Sequence, residues 1–325
     1  MIDRRTILGG TAACMAAAGP LRAQPQARVL RIGYLSARPG PNEFEQAFER
    51  GLREHGWAPG AQLVLDYRFA GFDAERETAH VAAMMASRPD VIVVADNLIG
   101  RAARSLSQTV PVVVPAFGDP VASGATSSLA RPDGNMTGTA VFNTELSRKR
   151  LELLKQAVPG LQHAAVLYNL RRRSKPLGVA ASLQAGEALS IKVSELGLAL
   201  PDGIDEGLAQ AVRQDVQGVA ILSDTATITH RAPICAATLA HKLPTIFANR
   251  TYLRAGGLMS YGPDLEGVFQ RAAYFVDRIL KGAKPAELPI EQATTFQLVL
   301  NQRTARALGL RFPQSLLIAA NEVIE

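Results

Sequence analysis

The chain has 325 residues, 47% of them hydrophobic and 20% charged, with a formal charge of +6. That composition excludes a disordered, collagenous or disulfide-stapled chain. At roughly 100–200 residues per domain, the length provides for two domains, each large enough for its own core.

Residues 1–23 (MIDRRTILGGTAACMAAAGPLRA) place Arg4 and Arg5 ahead of an Ala/Gly-rich apolar stretch and end in a small-residue site at Ala23. This is the pattern of an export signal. The pair Arg4-Arg5 followed by Thr6, Ile7 and Leu8 gives it a twin-arginine form, with an ordinary secretory signal as the other reading. The apolar stretch is shorter than the roughly 20 residues a membrane span needs. Removing the segment takes away three arginines and one aspartate and leaves +4. A lipid anchor at Cys14 is not expected, because Thr11 stands where such signals carry a larger aliphatic residue. Cys235 is then the single remaining cysteine, so no intramolecular disulfide is expected, and it is read as a small buried hydrophobe on a helix.

The rest of the chain alternates strand-like and helix-like runs. Residues 29–36 (VLRIGYLS) form a short apolar run ended by polar residues, as in a strand buried on both faces. Residues 43–55 follow with Phe44, Ala47, Phe48, Gly51 and Leu52 at helical spacing. A second strand covers 62–69, and Asp73 opens a helix to Ser87 with Glu75 and Glu77 in its first turn, where carboxylates suit the helix dipole. A third strand at 90–95 (DVIVVA), a helix at 98–108 and a fourth strand at 110–116 (VPVVVPA) come next. After a connector at 134–142 (GNMTGTAVF) the cadence restarts with helix 145–158, strand 164–168, helix 175–189, strand 192–198 and helix 204–214. It continues with strand 218–222, helix 227–241, strands 244–248 and 257–260, helix 265–280 and a late strand at 296–300. The alternation argues for parallel sheets with right-handed crossovers. Its repetition argues for two doubly wound, Rossmann-like α/β lobes.

In open parallel sheets ligands bind beyond the carboxyl ends of the strands. The residues at those ends are Ser36, Asp96, Asn97, Phe117, Asp119, Asn169, Asp224, Asn249 and Tyr261, the makeup of a small-molecule cleft. Each polar one also suits a helix cap, the plainer reading of any single position. Arg171-Arg172-Arg173 with Lys175 is the one dense basic cluster. It lacks the interleaved aromatics of a base-stacking surface, so nucleic acid is not expected. It is read as a solvated loop, or alternatively as part of an anion site. There is no G-x-S-x-G, H-E-x-x-H, P-loop or G-x-G-x-x-G, and the five histidines are scattered. Neither catalysis nor a metal or cofactor is expected.

Several segments carry a resemblance to a known family. IGYLS (32–36), GDPVASG (118–124), SLARPDGNMTG (128–138) and RLELLKQAVPG (150–160) are four of them. AGGLMSYGPDL (255–265), DRILKGAKPAELPIEQ (277–292) and FQLVLNQRTARALGL (296–310) are the others. Together they resemble the substrate-binding proteins of a bacterial ABC-transporter group that includes tryptophan- and tyrosine-uptake binding proteins, with the type I periplasmic-binding-protein fold. The resemblance covers 28–325 and implies a three-segment hinge near 138–143, 261–264 and 291–295. Lobe 1 would hold 28–140 plus 264–292, and lobe 2 would hold 141–263 plus 293–325.

The resemblance further implies an exported, monomeric periplasmic protein that closes two lobes on a small ligand and delivers it to a membrane permease. Ser36 and Asn97 would then accompany a ligand carboxylate, Asp224 an ammonium, and Phe117 and Tyr261 an apolar body. Two ligand-facing loops depart from the family's habit: Asp96-Asn97-Leu98 replaces a small Gly/Thr-rich loop, and Arg171–173 replaces a neutral one. The ligand is therefore expected to be amino-acid-like or a small organic anion. A ligand-sensing module for a membrane sensor protein uses the same fold and stays open as an alternative. A periplasmic α/β hydrolase would need a nucleophile–base pair that is not readable here.

Overall fold

Leu30–Ser36 forms strand β1 of the first sheet, with five of its seven residues buried. The computed structural model describes residues 28–60, 62–95, 109–142, 144–171 and 176–325. The export segment with Cys14, the expected helix at 98–108, Asp96, Asn97 and the remaining basic-cluster residues Arg172, Arg173 and Lys175 lie outside the described residues.

The first sheet adds β2 (Leu63–Phe69), β3 (Val91–Val94), β4 (Val112–Phe117), β5 (Met136–Ala140) and β11 (Glu291–Gln292), in the order β11-β5-β4-β3-β1-β2. Every pairing in it is parallel. The β-branched run Val91-Ile92-Val93-Val94 is wholly buried, as a central parallel strand covered on both faces must be. The second sheet runs β13-β12-β10-β9-β8-β6-β7. Its strands are β6 (His163–Asn169), β7 (Lys192–Leu198), β8 (Gly218–Ile221), β9 (Thr245–Phe247), β10 (Met259–Pro263), β12 (Phe296–Asn301) and β13 (Glu322–Ile324). All are parallel neighbours except β10 and β12.

Helix α1 (Glu43–Glu54) begins at a capping box in which Asn42 accepts from Phe44 N–H while Glu45 reaches back to the Asn42 N–H at 2.8 Å. Helix α2 covers Ala74–Ala86 with Asp73 as its cap, and α3 covers Ser147–Ala157. Helices α4 (Leu177–Leu189) and α5 (Ile204–Arg213) flank the second sheet, followed by α6 (Thr225–Thr229) and α7 (Arg231–Ala240). The expected single helix at 227–241 is thus two. Pro233 has no N–H and restricts the residue before it, so a new helix starts at Arg231 instead of the old one continuing.

Helix α8 (Leu265–Leu280) follows a strand of the second sheet but packs on α1 of the first lobe. Phe44 and Phe269 stack there with centroids 4.7 Å apart, and Trp57 Nε1 donates to Asp277 Oδ1 at 2.8 Å. The two helices approach so closely that a Cβ on Gly51 would lie 2.3 Å from the Gln270 carbonyl. The expected connector at 134–142 contains a strand, β5, with all five residues buried. Gly138 in it has φ +145° and a backbone so near Val114 that only glycine fits. From β5 the chain enters the second lobe, α8 returns it to the first, and β12 carries it back again. Short helices α9 (Gln302–Ala307) and α10 (Gln314–Ala319) end the second lobe. Leu151, Leu154, Ile246, Met259, Leu298 and Leu300 form part of its core, and Leu35, Met84, Ile92, Val114 and Phe117 form part of the first lobe's.

Candidate ligand cleft between the lobes

The carboxyl ends of β1, β2, β6, β7 and β8 converge on one cavity of about 340 Å³. The first lobe supplies Ala37, Gly71, Phe72 and Glu77. Asn169, Arg171, Leu200, Pro201, Asp224 and His230 come from the second, with Thr225 and Ala226 beside them. Its size falls in the range of about 300–1,000 Å³ that small-molecule sites occupy. The lobes touch at its rim. The Phe72 and His230 rings are 6.1 Å apart, and Arg231 Nη2 stands 3.3 Å from Glu43 Oε2.

Local chemistry fixes these side chains. Asp224 caps α6, accepting from Thr227 N–H at 2.7 Å, while the Thr227 hydroxyl accepts from Asp224 N–H at 2.8 Å. The same hydroxyl meets Tyr252 Oη at 2.8 Å. Asn169 ends β6 and its Oδ1 accepts from Arg171 N–H at 3.1 Å, which turns the chain back over the cleft. The Arg171 guanidinium pairs with Asp202 at 3.1 Å. Phe72 projects from a tight turn with φ 61°, held by its N–H to Ala37 O. His230 terminates α6, and partial burial pulls its pKa below the usual imidazole value despite Asp202 and Asp224 nearby. It is therefore a neutral ring at pH 7, with one donor and one acceptor nitrogen. The cavity thus joins one guanidinium, two carboxylates and a pair of flat rings.

Of the residues expected from sequence, Asn169 and Asp224 line this cavity, and Asp96 and Asn97 lie outside the described residues. The other five do not line it. Ser36 is 1% exposed, and its hydroxyl accepts from Arg38 N–H and Nε at 3.3 and 3.2 Å, while Arg38 in turn pairs with Glu45. Phe117 is packed in the first lobe's core, and Asp119 caps a turn through Ala122 N–H at 2.9 Å. Asn249 is buried, accepting from Thr251 N–H and donating to Ser223 Oγ at 3.2 Å. The Tyr261 ring lies 6.2 Å from Phe296, and its carbonyl accepts from Arg150 Nε at 2.8 Å. Arg150 is itself buried, and burial lowers its pKa to about 10. Phe72, Glu77 and His230 escaped the sequence reading. The same carboxyl-end rule, applied to strands 62–69 and 192–198, would have reached Gly71-Phe72 and Leu200-Pro201.

Cys235 is buried on α7 with its Sγ 3.5 Å from the Tyr252 carbonyl, and burial pushes its thiol up to about 12. Among the described residues no group of three or more His, Cys, Asp or Glu is placed to hold a metal ion. No described helix is long and apolar enough to cross a membrane.

Comparison with known proteins joins these observations. The family described as ABC transporter substrate binding protein matches residues 35–324. A curated relative, the tyrosine-binding protein of Clostridioides difficile (strain R20291), is 21% identical over 86% of this chain and 80% of its own length. The ABC domain in complex with L-Trp from Streptococcus pneumonia superposes with a TM-score of 0.83 at 22% identity, over 91% of this chain and 100% of that one. A ligand-free, open substrate-binding protein with adhesive properties from Clostridium difficile gives 0.65 at 21% identity, over 91% and 99%. With two mostly parallel α/β lobes of the type I periplasmic-binding architecture, facing each other across a small-molecule cleft, the chain belongs to the ABC transporter substrate-binding protein family.

Proposed function

We propose that this chain captures a small zwitterion of the amino-acid class between its lobes and hands it to a membrane permease. The observation that carries this reading is the presence of both signs of charge in one cleft. Arg171 would take the ligand carboxylate, Asp224 and Glu77 the ammonium, and Phe72 with His230 would flank the side chain. Two carboxylates beside one guanidinium oppose a dianion, which favours the zwitterion over a small dicarboxylate. The names of the relatives that bind tyrosine and L-Trp support an aromatic side chain. Ligand contacts made from both sides of the cleft exist only when the lobes meet, so the ligand's differential affinity drives closure.

In the same reading the protein leaves the cytoplasm on the signal at 1–23, by the twin-arginine route, is cut after Ala23 and works as a periplasmic monomer without catalysis. Amino-terminal sequencing of the periplasmic form should therefore begin at Gln24. A thermal-shift screen against the twenty amino acids, succinate, glutarate and glucose tests the ligand class. A saturable rise in melting temperature is expected with aromatic amino acids, since a ligand that binds only the folded state stabilises it by mass action. A shift only with the dicarboxylates would replace the zwitterion by an anion.

A further inference from the structure

Helix α6 is only five residues long, yet Asp224, Thr225, Ala226 and His230, on it or at its two ends, all line the cleft. A helix of that length does not hold its own geometry, because a first turn fixes several residues for very few hydrogen bonds. Contacts from outside must therefore fix where Asp224 stands. The capping box with Thr227 does part of this, and the Thr227 hydroxyl is itself held from below. Its one hydrogen has the carbonyls of Asp224 and Leu222 at 3.0 and 3.2 Å. With that hydrogen on a carbonyl, its oxygen accepts twice, from Asp224 N–H and from the Tyr252 phenol, both at 2.8 Å. Those bonds fill the hydroxyl's capacity.

Tyr252 has the surroundings of a fixed post. It is wholly buried and does not line the cleft. Its ring stacks on Phe247 with centroids 4.5 Å apart and planes 19° apart, and its carbonyl accepts from Cys235 Sγ. Burial raises the pKa of the phenol, so the group keeps its hydrogen and stays a donor. Tyr252 stands on the 3₁₀ turn Arg250–Ala255, whose start is set by Asn249. Asn249 Oδ1 accepts from Thr251 N–H, and Asn249 Nδ2 donates to Ser223 Oγ, one residue before Asp224. The turn and its cap thus hold the cleft wall at Ser223 and at Thr227, on either side of Asp224.

We infer that Tyr252 is a positioning residue of the cleft: its phenol, through the Thr227 hydroxyl, sets the place of the Asp224 carboxylate and so the affinity for a ligand ammonium. The inference rests on the cleft reading above and adds to it a residue that never touches the ligand. Phenylalanine would keep the stack on Phe247 and lose only the bond to Thr227. A hydrogen bond of ordinary strength corresponds to roughly a three- to tenfold change in an equilibrium constant.

Calorimetric titration of L-tyrosine and L-tryptophan into the wild-type chain, Tyr252→Phe, Asp224→Asn and the double variant tests the inference, together with amide exchange of the ligand-free proteins. Tyr252→Phe should weaken binding about three- to tenfold. Added to Asp224→Asn it should cost less than about twofold more, because a residue that acts through Asp224 has nothing left to position. A purely structural role would lower both affinities alike. Exchange of the amides at 227–230 should quicken about three- to tenfold in Tyr252→Phe, with β8 and β9 unchanged. Thr227→Ser, which keeps the hydroxyl, should bind within about twofold of the wild type, and Thr227→Val should lose at least as much as Tyr252→Phe. Wild-type affinity or wild-type exchange in Tyr252→Phe, a loss that adds in full to that of Asp224→Asn, or wild-type affinity in Thr227→Val would each overturn the inference. Failure of the cleft reading gives a different pattern: Asp224→Asn would then bind like the wild type while exchange at 227–230 still quickened in Tyr252→Phe.

Discussion

Replacing Glu45 with alanine removes the acceptor that holds the loop between β1 and α1 to the first lobe. Arg38 and Glu45 are ion-paired with side chains 4% and 3% exposed, between the end of β1 and the first turn of α1. Glu45 also accepts the Asn42 N–H at 2.8 Å, and Arg38 Nε donates to Ser36 Oγ at 3.2 Å with its guanidinium 5.7 Å from the Phe44 ring. Alanine leaves a buried guanidinium uncompensated and removes the Glu45 half of the capping box, the Asn42 cap itself remaining. Breaking one partner of a buried pair is worth about 3–5 kcal/mol. Urea unfolding followed by fluorescence is a local assay, because the chain's single tryptophan, Trp57, packs against Asp277 within the first lobe. Glu45→Ala should lower the first-lobe stability by about 3–5 kcal/mol. The double variant Arg38→Met, Glu45→Leu should recover most of the loss, because an apolar pair of similar volume needs no desolvation. A loss below about 1 kcal/mol for Glu45→Ala, the level of a solvated surface pair, would refute the reasoning.

Other expectations concern the rim, the histidines and the cysteine. Glu43→Gln breaks the contact with Arg231 across the cleft; a partly exposed pair is worth about 1 kcal/mol. Scattering from the ligand-free variant should show a larger radius of gyration and ligand affinity should fall about fivefold, whereas unchanged values would mean the pair does not hold the lobes together. Burial lowers the pKa of both His230 and His163, with Arg171 and Lys192 respectively adding to it. The unfolded chain therefore takes up these protons first, so their contribution is neutral above about pH 6.5 and stability falls as pH drops below it. Urea midpoints between pH 7.5 and 5 should show this slope, and the double variant His230→Gln, His163→Gln should flatten it. In a Cys14→Ser background, Cys235 should resist iodoacetamide at pH 8 when folded and react fully in urea; labelling of the native protein would contradict its burial.

The strands were legible because central parallel strands are continuous apolar runs. VIVV at Val91–Val94 needs no partner to be recognised. Strand β5 was not, since Met-Thr-Gly-Thr-Ala has no continuous apolar run and a glycine at its middle, and its place depends on Gly138 lying against Val114. The break at His230 was written in Pro233, but the apolar pattern continues across it. At the cleft, the carboxyl-end rule reached Asn169 and Asp224, which line the cavity because their short side chains stay close to the strand ends that carry them. It also picked Ser36 and Asn249, which do not line the cavity because their side chains are taken up by Arg38, two residues on, and by Ser223. Phe72 and His230 meet only because two lobes face each other, a relation that no local pattern encodes.

Calorimetric titration of L-tyrosine and L-tryptophan into the wild-type chain and into Asp224→Asn tests the central claim most directly. Asparagine is as good a helix cap as aspartate, so α6 and the cleft keep their shape while the negative charge is lost. A charge-assisted hydrogen bond to an ammonium is worth about 1.5–3 kcal/mol. Saturable binding to the wild type, weakened about 10- to 100-fold in Asp224→Asn, is the predicted result. Binding of equal strength in the two proteins would contradict it.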